Sequence, residues 1–219
     1  MRKAEAILFD LGGVLIEWPG IGALVDLSAG RLTLEEARRR WLLSPWVRAH
    51  EMGLCSPEAF AANIVSELDL AVTPDAFLRE FMRWRKGPLP GAVALVEALA
   101  QKRLLACLSN MSALHWEMHL ADPDSRALLA PMEHRFISHE MGLMKPDRAV
   151  FERVIRELAI EPESILFFDD NRECVDMARD VGFRAFEVQG VAAVQAALRE
   201  HEGLPKNPSH ETMMASVPT

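Results

Sequence analysis

Residues 7–15 read ILFDLGGVL, so an apolar run leads directly into a carboxylate, Asp10, and two glycines, Gly12 and Gly13. The run from Ala6 to Phe9 predicts a buried strand. A carboxylate at the end of a buried strand is costly unless a partner stabilises its charge or its pKa moves. Glycines allow a sharp turn and a close approach of the backbone to a ligand. The stretch therefore predicts a functional site centred on Asp10.

The composition is that of an acidic globular chain. Its 219 residues include 32 Asp and Glu against 24 Lys and Arg, which gives a formal net charge of −8. This charge argues against a nucleic-acid partner. It leaves a small anionic substrate open, because a lysine or a bound metal can invert the field locally.

The cysteines and the apolar runs bear on location. Cys55, Cys107 and Cys174 are odd in number and lack zinc-ligand spacing, which predicts reduced thiols and a cytoplasmic protein. No apolar run approaches the about 20 residues that cross a bilayer, and the N-terminus lacks a signal-peptide pattern. We therefore expect no membrane association, and either a monomer or a homodimer.

Residues 16–88 differ in pattern from the rest of the chain. They carry helical stretches and almost no strand signal, which predicts a helical module inserted after the first strand. From residue 89 onward, apolar runs alternate with helical stretches, as in a parallel sheet covered on both faces. We predict an α/β fold with a doubly wound parallel sheet. Its core would comprise residues 1–15 and 89–202, followed by a flexible tail at 203–219.

Within the module, capping signals predict three helices. The first runs from Leu34 to Leu43, with Thr33 as its N-cap and Glu36 completing a capping box. The other two begin at Pro57 and Pro74, since proline suits the first position of a helix. Ser44-Pro45 is interpreted as an interruption, and the stretch 122–124 near the middle of the chain as irregular.

Polar residues follow three of the predicted strands directly. They are Asp10, Ser109-Asn110 and Asp169-Asp170. Ligands bind beyond the carboxyl ends of strands in a doubly wound sheet, so these groups should share one crevice. Carboxylates crowded together favour a cation, and an all-oxygen ligand set suits Mg²⁺. With Lys145 joining from a loop, the sequence predicts a magnesium site that attracts phosphate.

Four motifs together resemble those of the haloacid dehalogenase superfamily. They are FDLGGV at Asp10, CLSN at Ser109, GLMKPD at Lys145 and FFDDN at Asp169-Asp170, in order within about residues 5 to 190. The sequences of these motifs are most similar to those of a branch containing bacterial α-D-glucose-1-phosphate phosphatases. The resemblance implies a Rossmannoid core with an inserted α-helical cap over residues 16–88, acting on a small phosphorylated metabolite.

The resemblance also implies residue roles. Asp10 would be the nucleophile that forms an aspartyl-phosphate, and Lys145 would pair with both Asp10 and the phosphate. The phosphate-binding set would be Leu11, Gly12, Ser109, Asn110 and Lys145. The Mg²⁺ ligands would be Asp10, the backbone carbonyl of Gly12, Asp169 (directly or through water) and Asp170.

Gly12 departs from the pattern of family phosphatases. They usually carry at this position a second aspartate, which protonates the leaving group and later activates water. General acid–base catalysis is typically worth about 10²–10⁴-fold in rate. Glu17, which follows the same loop, is the first candidate to replace it, ahead of His50 and Glu51. A sugar 1-phosphate, with its better leaving group, would suit a site that lacks this acid.

Two alternatives remain open from the sequence. Hydrolytic dehalogenases of the same fold also lack the second aspartate, but they need no metal and carry small polar residues where Asp169 and Asp170 stand here. A non-catalytic domain that binds a phosphorylated ligand or a protein would account for Gly12, but not for the retention of Asp10 and Lys145. Both fit the motifs less well than a Mg²⁺-dependent phosphatase.

Overall fold

The computed structural model describes residues 3–203. From residue 204 onward, the tail predicted at 203–219 lies outside the described residues. A five-stranded, all-parallel sheet forms the centre, in the order β3-β2-β1-β4-β5. Its strands are β1 (Ala6–Phe9), β2 (Leu104–Ser109), β3 (His134–Ile137), β4 (Ile165–Asp169) and β5 (Arg184–Glu187). The predicted doubly wound sheet is confirmed, and the order of connection reverses beside β1.

Twelve α-helices surround or extend this sheet in the described range. Between β1 and β2 lie α1 (Gly20–Leu27), α2 (Leu34–Leu43), α3 (Pro45–Glu51), α4 (Pro57–Glu67), α5 (Pro74–Arg83) and α6 (Ala92–Ala100). The later ones are α7 (Ala113–Ala121), α8 (Pro123–Leu129), α9 (Ser138–Met141), α10 (Arg148–Leu158), α11 (Arg172–Asp180) and α12 (Gly190–Glu202). A short 3₁₀ turn, Pro162–Ser164, precedes β4.

Both faces of the sheet are covered because the central strands are apolar on both sides. Every residue of β1 and β4 is buried. Successive side chains along each strand point to opposite faces of the sheet, so they contribute to two cores. One core is formed with α6, α8 and α12, and the other with α10 and α11. Phe9 and Phe168 stack in the first, with ring centroids 5.7 Å apart, and Phe151 packs edge-on against Phe167 in the second.

Helices α1–α5 have an aromatic core of their own. Trp41, Phe60, Phe77, Phe81 and Trp84 are all buried in it. Ring centroids of neighbouring pairs lie 5.1–6.2 Å apart, for example 5.1 Å between Phe60 and Phe81. A distinct helical module needs a hydrophobic core of its own, and helices α1–α5 have one. The division of the chain at residues 16 and 88 stays a prediction.

The ends of this helical segment are joined beside the sheet. The N–H of Leu89 donates to the carbonyl of Leu15 at 2.8 Å, and the N–H of Glu17 donates to the carbonyl of Gly87 at 3.2 Å. The chain thus leaves the core and returns to it at nearly the same point.

Three helices differ from the sequence expectations. Ser44 and Pro45 do not simply interrupt a helix: Ser44 caps α3 by accepting from the N–H groups of Trp46 and Val47. The stretch 122–124 is likewise a helix start, in which Asp122 accepts from the N–H of Ser125 at 2.9 Å. Helix α1 carries no side-chain cap, so it gave no start signal. The capping box of Thr33 and Glu36 is confirmed.

The three cysteines form no disulfide, and the helices of the described residues are short. Cys55, Cys107 and Cys174 are free thiols, the last two buried. Within residues 3–203, every helix is too short or too polar to cross a bilayer.

Candidate active site

The register of the sheet brings Asp10 level with Asp169. Phe9 pairs with Cys107 on one side and with Phe168 on the other. The N–H of Asp10 donates to the carbonyl of Phe168 at 2.8 Å. The carboxyl ends of β1 and β4 therefore place their terminal carboxylates side by side, as the sequence pattern predicted.

Lys145 lies between these two carboxylates. Its Nζ is 2.9 Å from Oδ1 of Asp10 and 2.6 Å from Oδ2 of Asp169. All three side chains are buried, with Lys145 only 3% exposed. A buried ammonium with two carboxylate partners leaves one negative charge in excess before Asp170 is counted, so this group of side chains attracts a further cation.

The pKa values reflect this crowding. Burial raises the pKa of Asp10 to about 7; Lys145 opposes the shift, whereas Asp169 and Asp170 add to it. Burial alone would lower the pKa of Lys145, but Asp10 and Asp169 outweigh it and hold that pKa above its ordinary value. The pKa of Asp170 is also raised, first by burial and then by Asp169.

A divalent cation fits this acidic group. Asp10, Asp169 and Asp170 each present a carboxylate oxygen, and these oxygens lie within 4.8 Å of one another. The set contains oxygen donors alone, which hard cations such as Mg²⁺ prefer. Asp170 rests against Gly13, whose φ is +73°: a Cβ there would lie 2.8 Å from Cγ of Asp170 and nearer still to Oδ2. The glycine is therefore required for Asp170 to reach the group.

Asn110 orients the loop that carries Lys145. Its Nδ2 donates to the carbonyl of Lys145 and its Oδ1 accepts from the N–H of the same residue, both at 2.9 Å. The paired bonds fix the backbone from which the ammonium extends. Ser109, the last residue of β2, is buried nearby at the same edge of the sheet. The phosphate-binding roles of both residues stay predictions.

The loop after Asp10 turns tightly around Leu11. The Leu11 side chain is buried, and its carbonyl accepts from the N–H groups of Leu15 and Ile16 at 2.9 and 2.7 Å. Gly12 faces Trp18, because a Cβ on Gly12 would lie 3.8 Å from Cβ of Trp18. Trp18 is 36% exposed and meets His115 edge to face at 6.0 Å. An aromatic wall thus stands beside the loop.

The three candidate acids occupy different environments. Glu17, the first choice from the sequence, is exposed. His50 is buried and stacks on Phe60 at 4.3 Å, and burial lowers its pKa to about 4. Glu51, at the end of α3, is partly buried and close enough to Lys145 and Asp10 for both to act on its pKa. Glu17 thus lies at the surface, whereas Glu51 ends a helix whose last carbonyl contacts Ser138 of the core.

Ser138 is a site residue that the sequence analysis missed. It is fully buried, directly follows β3, and its Oγ accepts from the N–H of Met111 at 2.9 Å. It also donates a short hydrogen bond to the carbonyl of Glu51. The signal was available, since a polar residue directly after an apolar strand is the pattern that singled out Asp10.

The fold and the acidic site together define a class of hydrolase. The sequence model of the haloacid dehalogenase-like hydrolases matches residues 4–182. The chain belongs to this family, as its four motifs suggested.

Similar proteins extend this result. The chain is 29% identical to Phosphatase MT3486 of Mycobacterium tuberculosis over 84% of this chain and 87% of that protein. It is 24% identical to the sesquiterpene phosphatase astK of Aspergillus oryzae over 91% and 97% of the respective lengths. Its fold is similar to that of a haloacid dehalogenase family enzyme from Bacteroides thetaiotaomicron solved with magnesium and inorganic phosphate. That match has a TM-score of 0.65 and 21% identity, covering 84% of this chain and 93% of the other.

Proposed function

We propose that this hydrolase is a Mg²⁺-dependent phosphatase that cleaves a small phosphorylated metabolite through an aspartyl-phosphate on Asp10. One observation carries the proposal: the buried Asp10 carboxylate lies 2.9 Å from the Lys145 ammonium and beside two further carboxylates. Asp10 and a phosphate dianion would repel each other. This arrangement therefore supports Asp10 as a nucleophile that reacts once a cation is bound. The phosphatase names of the two relatives support the same reaction class.

Each residue of the site has its own role in this proposed reaction. Asp10 attacks the phosphorus atom, and Lys145 holds both that carboxylate and a phosphoryl oxygen. Leu11, Gly12, Ser109 and Asn110 surround the phosphoryl group. Mg²⁺, held by Asp10, Asp169, Asp170 and the Gly12 carbonyl, would offset the negative charge that accumulates between nucleophile and phosphate.

The retained carboxylate pair separates this proposal from a dehalogenase. A haloacid carries one negative charge and needs no divalent cation, so Asp169 and Asp170 would repel it without compensation. A non-catalytic binding domain would not need Asp10 and Lys145 within 2.9 Å of each other. Both alternatives are retained as outcomes of the test below.

Residues 16–88 are proposed to act as the cap that closes over the substrate and selects it. Trp18, which the buried His115 supports edge to face, offers an aromatic face beside the reacting loop. Such a face suits the apolar side of a sugar ring or a hydrocarbon chain equally well. Sugar 1-phosphates therefore belong in the substrate panel beside prenyl phosphates.

The decisive experiment measures phosphate release from such a panel with MgCl₂ and with EDTA. We expect Mg²⁺-dependent turnover that Asp10→Asn reduces to background. The matched control is Asp180→Asn, which alters an exposed aspartate at the end of α11. Halide release from a 2-haloacid in EDTA would establish the dehalogenase instead. Phospholigand binding without turnover of either class would establish the binding domain.

The cellular location, the partner and the oligomeric state are proposed on the same basis. A cytoplasmic location agrees with three free thiols, two of them buried. The net charge of −8 supports a small-molecule partner over nucleic acid. Monomer and homodimer are both compatible with this function, and sedimentation would distinguish them.

A further inference from the structure

Position 12 leaves the proposed phosphatase without the usual proton-transfer group. The backbone of Gly12 lies outside the left-handed region, and a Cβ there would meet only ordinary van der Waals contact with Trp18 at 3.8 Å. A side chain could therefore stand at this position, so its absence is not imposed by the fold. For a substrate whose leaving alkoxide needs a proton, the donor has to come from elsewhere in the chain.

Helix α3 of the helical segment is docked onto the site edge of the sheet. Its last residue, Glu51, accepts at its carbonyl from the hydroxyl of Ser138. The same Ser138 Oγ accepts from the N–H of Met111 at 2.9 Å, and Met111 directly follows Asn110. One buried hydroxyl thus connects the end of α3 to the loop that orients Lys145.

Two further contacts support this docking. Arg48, one turn earlier in α3, forms an ion pair with Asp147, which lies two residues after Lys145. Gly53 has a φ of +71°, and a Cβ there would lie 3.1 Å from the carbonyl of His139 in α9. The chain after α3 therefore presses closely on the core, so Glu51 is held from both sides.

The electrostatic surroundings of Glu51 suit a proton donor. Burial raises the pKa of its carboxyl to about 7; Lys145 opposes this shift and Asp10 adds to it. A general acid works best when its pKa lies near the working pH. Lys145 and Asp10 are also the groups that engage the phosphate in the proposed function, and the charges of both act on the Glu51 carboxyl.

We infer that Glu51 is the general acid and base of this hydrolase, supplied by the helical segment in place of the aspartate missing at position 12. This inference rests on the proposed phosphatase function. Glu17 lies at the surface, and His50 is stacked within the aromatic core, so neither has the same access.

The two half-reactions balance with this one group. In the first, an Asp10 oxygen bonds to phosphorus, the bond from phosphorus to the leaving oxygen breaks, and the Glu51 proton moves to that oxygen to form the alcohol. In the second, the Glu51 carboxylate takes a proton from water. The water oxygen bonds to phosphorus, the bond from phosphorus to Asp10 breaks, and inorganic phosphate leaves with Glu51 protonated again.

The test uses Glu51→Gln, which keeps the shape of the side chain and the backbone contact with Ser138. With alkyl phosphates, whose alkoxide needs a proton to leave, we expect kcat/KM to fall about 10²–10³-fold. With p-nitrophenyl phosphate the same constant should fall less than tenfold, because its leaving group needs no proton. That substrate should instead give a burst of p-nitrophenol followed by slow release of phosphate, since the base for the second step is gone.

Matched variants distinguish catalysis from structure. Glu35→Gln, on the exposed face of α2, should leave both substrates unchanged. Gly12→Asp introduced into Glu51→Gln should restore alkyl phosphate turnover at least tenfold. Equal losses on both substrates without a burst, or a leaving-group dependence in Glu17→Gln alone, would overturn the assignment. The proposed function would stand in either case, because its own test is Mg²⁺-dependent phosphate release that Asp10→Asn abolishes.

Discussion

Asp170 reaches the acidic group only because Gly13 has no side chain. A Cβ on Gly13 would lie 2.8 Å from Cγ of Asp170, and the residue has a φ of +73°. The second glycine of the loop therefore serves two needs at once: a left-handed turn and room for a carboxylate. The two needs can be separated experimentally.

Gly13→Ala should lose both stability and activity. The left-handed backbone costs an alanine about 1–2 kcal/mol, and the displaced Asp170 should weaken Mg²⁺-dependent turnover at least tenfold. Gly30→Ala is the control, because Gly30 has a φ of +76° with open space around it. It should lose similar stability in urea unfolding while retaining turnover. Full activity in Gly13→Ala would contradict the role given to Asp170.

Lys145→Met should destabilise the fold strongly. Removing the ammonium leaves Asp10 and Asp169 buried without their partner, a change that typically costs about 3–5 kcal/mol. Added MgCl₂ should recover part of that loss in the unfolding free energy, because a cation replaces the missing charge. Lys102→Met, at an exposed lysine after α6, should change little. An unchanged free energy of unfolding in Lys145→Met would show that the two contacts contribute no net stability.

Two buried histidines should make the fold sensitive to acid. Burial lowers the pKa values of His50 and His119 from 6.5 to about 4. At these two residues the unfolded chain then binds more protons than the folded chain between pH 4 and 6.5, so the stability that they contribute rises with pH across that window and is lost as pH falls through it. Each histidine contributes a slope of up to about 1.4 kcal/mol per pH unit.

Unfolding free energies measured from pH 4 to 7 check this expectation. In His50→Gln and in His119→Gln, the slope of stability against pH between pH 4 and 6.5 should be lower than in the wild type by the contribution of the lost histidine, whatever the absolute stability of each variant. His134→Gln, at a partly exposed histidine in β3, is the control and should retain the full slope. If the curves of the wild type and of all three variants were parallel, His50 and His119 would not be the source of this pH dependence.

Trp18 of the aromatic wall and Trp84 of the helical core should respond differently to truncation. Trp84 is 2% exposed within the helical core, so Trp84→Ala should cost about 3–5 kcal/mol. Trp18 is 36% exposed beside Gly12, so Trp18→Ala should cost far less stability but raise KM several-fold. Urea unfolding and steady-state kinetics separate the two effects. A KM unchanged in Trp18→Ala would remove Trp18 from the proposed substrate surface.

Much of the fold could be predicted because its signals are local. The strands are short apolar runs, and the convergence of Asp10 with Asp169 follows from parallel strands ending at one edge. Two of the errors share one physical origin. Pro45 and Pro123 were interpreted as breaks, although each is the first residue of a helix whose N-cap precedes it.

The candidate acid could not be chosen from sequence because its position depends on tertiary docking. Glu17 is near Asp10 along the chain, yet its side chain is exposed. Glu51 comes to the site through the contact of its carbonyl with Ser138, a residue far away in sequence. Proximity along the chain is a poor guide when a helical segment folds back over a sheet.

The bonds that join Leu15 to Leu89 and Glu17 to Gly87 have an evolutionary consequence. They close the helical segment into a loop whose two ends are neighbours. Insertions, deletions or a wholesale exchange between those ends would leave the strand register, and the carboxylates it aligns, undisturbed. Changes in the helical segment can therefore alter which substrates bind, while the sheet residues proposed to catalyse the reaction keep their positions. Because the proton donor Glu51 lies within this segment, however, such an exchange has to bring a replacement acid with it.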